Sequence, residues 1–231
     1  MPATKEHGLI RDTGECSRGH QPARVKICGI TQPEDAWLAV KLGACALGFN
    51  FYPPSPRYLA PEAASSIISQ LPPFVTCVGV FADEAKAEHV LAVARAAGVH
   101  AVQLHGPRFP SDAAPLGEYP LIRAVALHDG FELQELATLN ARAFLLDSFD
   151  PKLIGGTGKT INWALARQAK HYGPIILAGG LTPANVSAAI REVRPFAVDV
   201  ASGVESAPGK KDPQKLQAFF AAVEAANQQV E

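Results

Sequence analysis

The sequence predicts a single α/β domain, a (β/α)₈ barrel, from three observations. Short apolar segments rich in β-branched residues alternate eight times with amphipathic helical segments. No break in composition divides the chain into two domains. The seventh and eighth predicted strands both end in glycine-containing turns, which is typical of the phosphate site of such barrels. We therefore expect residues 24–231 to form the barrel and residues 1–23, which lack sustained periodicity, to form a loose N-terminal extension.

The predicted strands are short, apolar and bounded by glycine, proline or charged residues, as strands buried on both faces usually are. They cover residues 25–28, 46–51, 74–81, 99–104, 121–127, 143–147, 174–178 and 196–200.

Helix starts follow most of these strands. Thr31-Gln32-Pro33-Glu34 has the spacing of a capping box, and Thr182-Pro183 and Asp212-Pro213 each place a capping residue before proline. Further helices are predicted at 61–70, from Asp83 to Gly98, and from near Trp163. The segment after the fourth strand predicts only a short, weak helix, because proline and glycine interrupt it.

Composition excludes several classes of protein. The net charge is -1, and 48% of residues are hydrophobic against 19% charged, with no block of like charges. This argues against nucleic acid or an anionic membrane as the main partner. The four cysteines form no C-x-x-C pair, and the cysteines and histidines show no cluster that suggests a zinc module, so neither a zinc module nor disulfides are expected. No secretory leader is recognisable, which makes a cytoplasmic location the default prediction.

In a (β/α)₈ barrel the chemistry gathers at the carboxyl ends of the strands, which selects Cys28 and Asp147. Cys28 ends the first strand, and Lys26 shares its face, so a nearby cation would favour the thiolate as a base or nucleophile. Asp147 follows an apolar run, where a carboxyl group with a raised pKa can act as a general acid. The alternatives are a buried structural thiol for Cys28 and a structural cap of the following glycine-rich loop for Asp147.

Two further side chains are candidates for binding. Arg57 lies in a proline-rich loop after the second strand and could hold a carboxylate with two parallel hydrogen bonds, although a solvated surface arginine is the commoner case. His105 ends the fourth strand and is either a polar site residue or a hydrogen-bonded strand-end histidine.

The turns after strands seven and eight predict a phosphate site. Gly179 and Gly180 allow backbone N–H groups to approach an anion closely, and the next turn contains Ser202 and Gly203. Residues 156–160 look like the end of a P-loop, but the first glycine of that motif would fall at Leu153, so nucleoside triphosphate binding there is rejected.

Six motifs in order resemble the phosphoribosylanthranilate isomerase family of tryptophan biosynthesis, over about residues 24–226. They are Val25-Lys26-Ile27-Cys28-Gly29-Ile30-Thr31, Gly48-Phe49-Asn50-Phe51, Ser55-Pro56-Arg57-Tyr58, Gln103-Leu104-His105-Gly106, Leu146-Asp147 and Leu177-Ala178-Gly179-Gly180-Leu181.

This resemblance implies a cofactor-free barrel, without a metal, that performs an Amadori rearrangement of a small phosphorylated substrate. By the same resemblance Asp147 is the general acid, Cys28 the general base, and Arg57 the residue that holds the anthranilate carboxylate. Gly179, Gly180, Asp199, Ser202 and Gly203 match the phosphate grip, with Asp199 expected to orient N–H donors because a carboxylate repels phosphate. Lys26 and His105 match supporting positions. We expect a monomer or a homodimer.

The sequence departs from the family pattern in two places, and two other functions share part of its features. The family usually has an acidic residue where this chain has Asn162, and residues 1–23 exceed the usual start. A carbon–carbon lyase resembling indole-glycerol-phosphate synthase would share the phosphate site, but it needs a lysine and glutamate constellation that has no comparable motif support here. A non-catalytic phosphate-binding barrel would not need Cys28 and Asp147 at strand ends.

Overall fold

The computed structural model describes residues 21–84, 86–106, 116–128, 130–148 and 162–229. Most of the predicted N-terminal extension and the glycine-rich loop at 156–160 lie outside these ranges. Among the described helices, none combines the length and the apolar character needed to cross a membrane.

Eight parallel strands close into a barrel, and the last strand pairs with the first, which confirms the predicted fold. Their order in space follows their order in the chain. The strands are β1 (Arg24–Cys28), β2 (Ala46–Asn50), β3 (Thr76–Ala82), β4 (Ala101–His105), β5 (Leu121–Leu127), β6 (Ala143–Ser148), β7 (Ile175–Leu177) and β8 (Ala197–Val200).

Six α-helices surround the barrel within the described ranges. They are α1 (Pro33–Lys41), α2 (Pro61–Ile68), α3 (Ala87–Ala97), α4 (Trp163–Ala169), α5 (Val186–Val193) and α6 (Pro213–Gln228). A 3₁₀ helix, Leu133–Thr138, joins β5 to β6, and the described residues between β4 and β5 contain no α-helix. After β8 the chain forms a hairpin of β9 (Glu205–Ala207) and β10 (Lys210–Lys211), which the sequence patterns did not predict.

The core has two parts, because both faces of the barrel strands are covered. One part fills the barrel and consists mainly of small side chains, such as Ala46, Ala101 and Ala197. The larger part packs between the strands and the helices. The predicted apolar stripe of α5 lies here, with all four of its members buried: Val186, Ala189, Ile190 and Val193.

The helix starts confirm one capping prediction and correct two. Asp212 caps α6 by accepting hydrogen bonds from the N–H groups of Gln214 and Lys215. The capping box predicted at Thr31 is wrong, because the hydroxyl of Thr31 donates to the carbonyl of Gly209 on the distant hairpin. Helix α5 begins at Val186 rather than at the predicted Pro183.

The later start of α5 has a local cause in the side chain of Asn185. Its Oδ1 accepts from the N–H of Thr182 at 2.8 Å, and its Nδ2 donates to the carbonyl of Gly180 at 2.9 Å. These bonds shape a turn between β7 and the helix. The turn thereby fixes the backbone of the glycine pair predicted to bind phosphate.

Candidate active site

The predicted site residues lie at the carboxyl ends of the strands, as the barrel fold requires. The barrel brings Lys26 and Cys28 of β1 beside Asp199 of β8, and His105 of β4 beside Asp147 of β6. The glycine turns after β7 and β8 join Asp147 and Asp199 in one cleft. Arg57 lies in the loop after β2 and contacts Gly29, the residue after Cys28.

A buried ion pair organises the side of the site formed by β1. The ammonium of Lys26 donates to Oδ1 of Asp199 at 2.8 Å, and the Lys26 side chain is only 3% exposed. Both Lys26 and Cys28 face Gly48 of the neighbouring strand, where a Cβ would lie 3.1 Å from Nζ and 2.8 Å from Sγ. Glycine at position 48 therefore leaves the space that the ammonium and the thiol share.

The charges around Cys28 change the pKa of its thiol in both directions. Burial raises the pKa of the Cys28 thiol above its ordinary value, and the Asp199 carboxylate adds to this rise, whereas the ammonium groups of Lys26 and Lys211 lower it. Burial is the largest influence on Lys26 and by itself would lower the pKa, but the attraction and hydrogen bonds of Asp199 and Cys28 together outweigh it, so the net pKa is raised. Lys26 therefore stays a cation next to the thiol, which favours the thiolate.

On the other side of the site, Asp147 lies between a backbone donor and a histidine. Its Oδ1 accepts from the N–H of Ser148 at 2.8 Å, and its Oδ2 lies 3.5 Å from Nε2 of His105. The carboxyl group is largely buried, yet Asp147 lines the cleft. Asp147 thus lines the cleft, and His105 contacts its carboxyl group from a separate strand.

The two turns predicted to bind phosphate line one cleft. Gly179 and Gly180 both have positive φ, at 80° and 63°, a backbone conformation that residues with a Cβ adopt only with strain. Gly203 is closely packed for a different reason, because a Cβ there would overlap the carbonyl oxygen of Leu181. The cleft, which also contains Asp147, is lined by Ala178, Gly179, Gly180, Leu181, Asp199, Val200, Ala201, Ser202 and Gly203.

We expect Gly203→Ala to lower both stability and phosphate affinity, because the new methyl group must push the two turns apart. Overpacking of this kind costs about 1–3 kcal/mol, and losing one charge-assisted hydrogen bond weakens anion binding by about 10-fold or more. Urea unfolding and calorimetric titration with inorganic phosphate would measure the two effects. Gly98→Ala is the control for a loss of stability without a change at the cleft, since Gly98 has φ 73°, where alanine is strained, but open space around it and no place in the cleft lining; equal phosphate affinity in both variants would contradict the prediction.

The loop after β2 holds Arg57 by polar contacts as well as by its prolines. The hydroxyl of Ser55 accepts from the N–H of Arg57 and from Nδ2 of Asn50, both at 3.1 Å. The stem of Arg57 crosses Gly29, where a Cβ would come within 2.5 Å of Cδ. The guanidinium is therefore placed directly beside the end of β1.

Arg57 already makes the two parallel hydrogen bonds that the sequence predicted for it, but to a protein carboxylate. Its Nε and Nη2 donate to the two oxygens of Glu205 at 2.9 and 2.7 Å. This pair raises the pKa of Arg57, and for Glu205 the bonds from Arg57 and Lys211 outweigh burial and lower the pKa. Only the remaining edge of the guanidinium can meet a ligand, so two parallel bonds to a substrate through the Nε edge are not possible in this arrangement.

Asp199 has a charged partner of its own. Its carboxylate accepts from the ammonium of Lys26, and the expectation that it orients N–H donors at the phosphate site stays a prediction. The ion pair neutralises a negative charge beside the predicted phosphate site. Asn162, which replaces the usual acidic residue, caps α4 by accepting from the N–H of Leu165 at 3.2 Å.

Sequence reasoning missed Glu205 and Lys211, which lie on the β9–β10 hairpin next to the site. Both are charged and buried, and Lys211 is 2% exposed. The only local signal in the sequence is that a glutamate and a lysine, Glu205 and Lys211, flank the turn at Gly209. In the described part of the chain, no group of three or more His, Cys, Asp or Glu side chains could hold a metal ion.

Comparison with known proteins gives one consistent result. A family model described as N-(5′-phosphoribosyl)anthranilate (PRA) isomerase matches residues 25–222. The N-(5′-phosphoribosyl)anthranilate isomerase of Trichlorobacter lovleyi is 50% identical over 198 residues, which cover 85% of this chain and 96% of the relative.

Two crystal structures support the same relation. Phosphoribosyl anthranilate isomerase from Thermus thermophilus superposes with a TM-score of 0.80 at 45% identity, covering 87% of this chain and 98% of that chain. A phosphoribosyl anthranilate isomerase in complex with reduced 1-(o-carboxyphenylamino)-1-deoxyribulose 5-phosphate gives a TM-score of 0.76 at 41% identity, over 88% of this chain and 99% of that chain.

Proposed function

This chain belongs to the N-(5′-phosphoribosyl)anthranilate isomerase family of tryptophan biosynthesis, and from that premise we propose the roles of its site residues. Cys28 is the general base and Asp147 the general acid of the Amadori rearrangement. The reaction converts N-(5′-phosphoribosyl)anthranilate into 1-(2-carboxyphenylamino)-1-deoxyribulose 5-phosphate. The family relation sets aside the lyase and the non-catalytic binding barrel considered from the sequence.

The rearrangement needs two separate groups, one that acts as an acid and one that acts as a base. Asp147 gives its proton to the furanose ring oxygen, the bond from that oxygen to C1′ breaks, and an iminium ion forms. The Cys28 thiolate then takes the proton from C2′, and the electron pair of that C–H bond neutralises the iminium to give an enolamine. The enolamine tautomerises to the ketone. Placing the two groups on β1 and β6 allows one to start protonated while the other starts ionised.

The observation that carries this proposal is the environment of Cys28. A thiol at the mouth of the barrel shares the space above Gly48 with an ammonium that Asp199 holds in place. A structural thiol needs no such cation, whereas a base needs one to offset the cost of ionising in a buried position. For Asp147, the hydrogen bond from the N–H of Ser148 and the contact with His105 support a fixed orientation toward the cleft.

The remaining roles concern binding. The free edge of Arg57 holds the anthranilate carboxylate, and the turns containing Gly179, Gly180, Ser202 and Gly203 hold the phosphate. Asp199 acts through Lys26, and His105 supports Asp147. The cytoplasmic location, the absence of a nucleic-acid partner and the monomeric or homodimeric state stay predictions from the sequence.

The isomerase activity is expected to rise with pH, because only the thiolate of Cys28 can accept a proton. Burial raises the pKa of this thiol, so the rising limb of kcat/KM lies above the pH expected for an ordinary thiol, about 8.5. Loss of anthranilate-type fluorescence from freshly generated substrate, followed from about pH 6 to pH 10, would give this profile. The rate of alkylation of Cys28 by iodoacetamide should follow the same curve.

Two results would contradict this assignment. A flat profile over that range, under conditions where chemistry limits the rate, would remove Cys28 as the base. A profile that rises without a matching change in alkylation rate would assign the rise to another group. No conversion above the spontaneous background would contradict the isomerase reaction itself.

A further inference from the structure

One buried lysine contacts three separate parts of the site. The Nζ of Lys211 donates to Oε1 of Glu205 at 2.9 Å, to the carbonyl of Cys28 at 2.6 Å and to the carbonyl of Ala201 at 3.3 Å. An ammonium has three donors, and all three are used here. Its side chain is 0% exposed. Lys211 thus bonds directly to the end of β1 and to the start of the turn after β8.

Its partner Glu205 connects this lysine to the arginine of the β2 loop. The two oxygens of Glu205 accept from Nε and Nη2 of Arg57, while Oε1 also accepts from Lys211 and from the N–H of Gly209. The Glu205 side chain is 5% exposed. Burying such charges carries a large desolvation cost, and apolar residues of similar volume often give equal stability. A gain in stability is therefore a weak reason for this arrangement.

The hairpin that carries both residues is itself fixed to the barrel. The N–H of Lys211 donates to Oδ2 of Asp35 on α1 at 2.8 Å, and the ammonium of Lys215 on α6 donates to the carbonyl of Glu205 at 2.7 Å. The hydroxyl of Thr31 donates to the carbonyl of Gly209 between the two short strands. The hairpin thus has contacts to the first and the last helix and cannot shift independently of them.

We propose that Glu205 and Lys211 form a positioning pair, which sets the guanidinium of Arg57, the backbone of Cys28 and the phosphate turn in one arrangement. This inference rests on the roles proposed above for Cys28 and Arg57. Glu205 occupies one edge of the guanidinium and turns the other edge to the substrate carboxylate. Lys211 fixes the carbonyl groups of Cys28 and Ala201, so that the base and the phosphate turn keep their separation.

Glu205→Gln separates this role from general support of the fold. Losing the charge loosens Arg57, so the Kd of reduced 1-(o-carboxyphenylamino)-1-deoxyribulose 5-phosphate should rise by about 10-fold, whereas the Kd of inorganic phosphate should not change. Calorimetry measures both without turnover, so the result does not depend on whether Cys28 is the base. Lys210→Met is the matched control on the same hairpin, because Lys210 is exposed, and it should bind both ligands as the native protein does.

Lys211→Met has a different signature. It removes one of the charges that lower the pKa of Cys28, while Lys26, Asp199 and Arg57 still face the thiol. The rising limb of the pH profile should therefore move to higher pH. Phosphate should also bind more weakly in this variant, because the Ala201 carbonyl loses its donor. Lys210→Met should change neither property.

A double substitution decides whether Glu205 acts through Arg57. In an Arg57→Ala background, Glu205→Gln should cause no further loss of affinity for the reduced product analogue. An equal loss in both backgrounds, or an unchanged Kd in Glu205→Gln alone, would overturn the proposal while leaving the roles of Cys28 and Asp147 intact. Should Lys211→Met fail to fold, this comparison of Glu205 and Arg57 decides the matter alone.

Discussion

Replacing Cys28 by alanine is expected to lower kcat by about 10²–10⁴-fold, the usual contribution of a general base. The side chain occupies the end of β1 beside Lys26 and Gly48, and the smaller alanine leaves the ion pair of Lys26 with Asp199 in place. Affinity for the reduced product analogue should therefore stay close to that of the native enzyme. The measurement is the loss of substrate fluorescence under saturating conditions, together with calorimetric binding.

Cys45→Ala provides the matched control for this substitution. Cys45 immediately precedes β2, at the amino end of the barrel strands, where its thiol donates to the carbonyl of Val25 at 3.2 Å. Its removal should leave kcat unchanged. A Cys28→Ala variant that is folded and turns over at the native rate would assign proton abstraction to another residue.

Asp147→Asn should cause a second loss of about 10²–10⁴-fold in kcat, because an amide cannot deliver a proton to the ring oxygen. Asparagine keeps the shape of the side chain, and its oxygen can still accept from the N–H of Ser148. The ring should consequently stay closed while the phosphate remains bound. Stopped assays that count both substrate and product would show unreacted substrate rather than a released intermediate.

Asp212→Asn is the control with the same chemical change. Asp212 caps α6, and asparagine is an equally good capping residue, so both activity and stability should be retained. If Asp147→Asn were as active as this control, ring opening would need another acid, and His105 would be the first group to test because its Nε2 lies 3.5 Å from Asp147.

The fold could be predicted from the sequence because its signals are local. Each strand is a short apolar run with a clear end, and the observed ends differ from the predicted ones by only a few residues. Phe74, for example, is predicted to lie in β3, but it precedes that strand and is 95% exposed. The β9–β10 hairpin, which the sequence patterns do not predict, has strands of three and two residues. No periodicity can be read from segments of that length.

The site could be predicted only for residues whose location follows directly from the barrel fold. The carboxyl-end rule placed Cys28, Asp147 and the glycine turns around one opening. It cannot show which charges pair across the barrel, and so the bonds that Lys26 donates to Asp199 and Arg57 donates to Glu205 were missed. Thr31 illustrates the same limit, because its local motif predicted a cap while a residue 178 positions away receives its hydrogen bond.

The pairing of β1 with β8 closes the barrel, and it also affects the order in which the protein assembles during synthesis. Lys26 meets Asp199 across 173 residues, and the carbonyl of Cys28 meets Lys211 across 183. At about 5–20 residues per second, a ribosome needs on the order of ten seconds or more to make that length of chain. Throughout this interval Cys28 and Lys26 lack their partners from the end of the chain, Lys211 and Asp199. The proposed site is therefore complete only once the β9–β10 hairpin has been made, and a prematurely terminated chain that ends before β8 contains Cys28 but lacks Asp199 and Lys211.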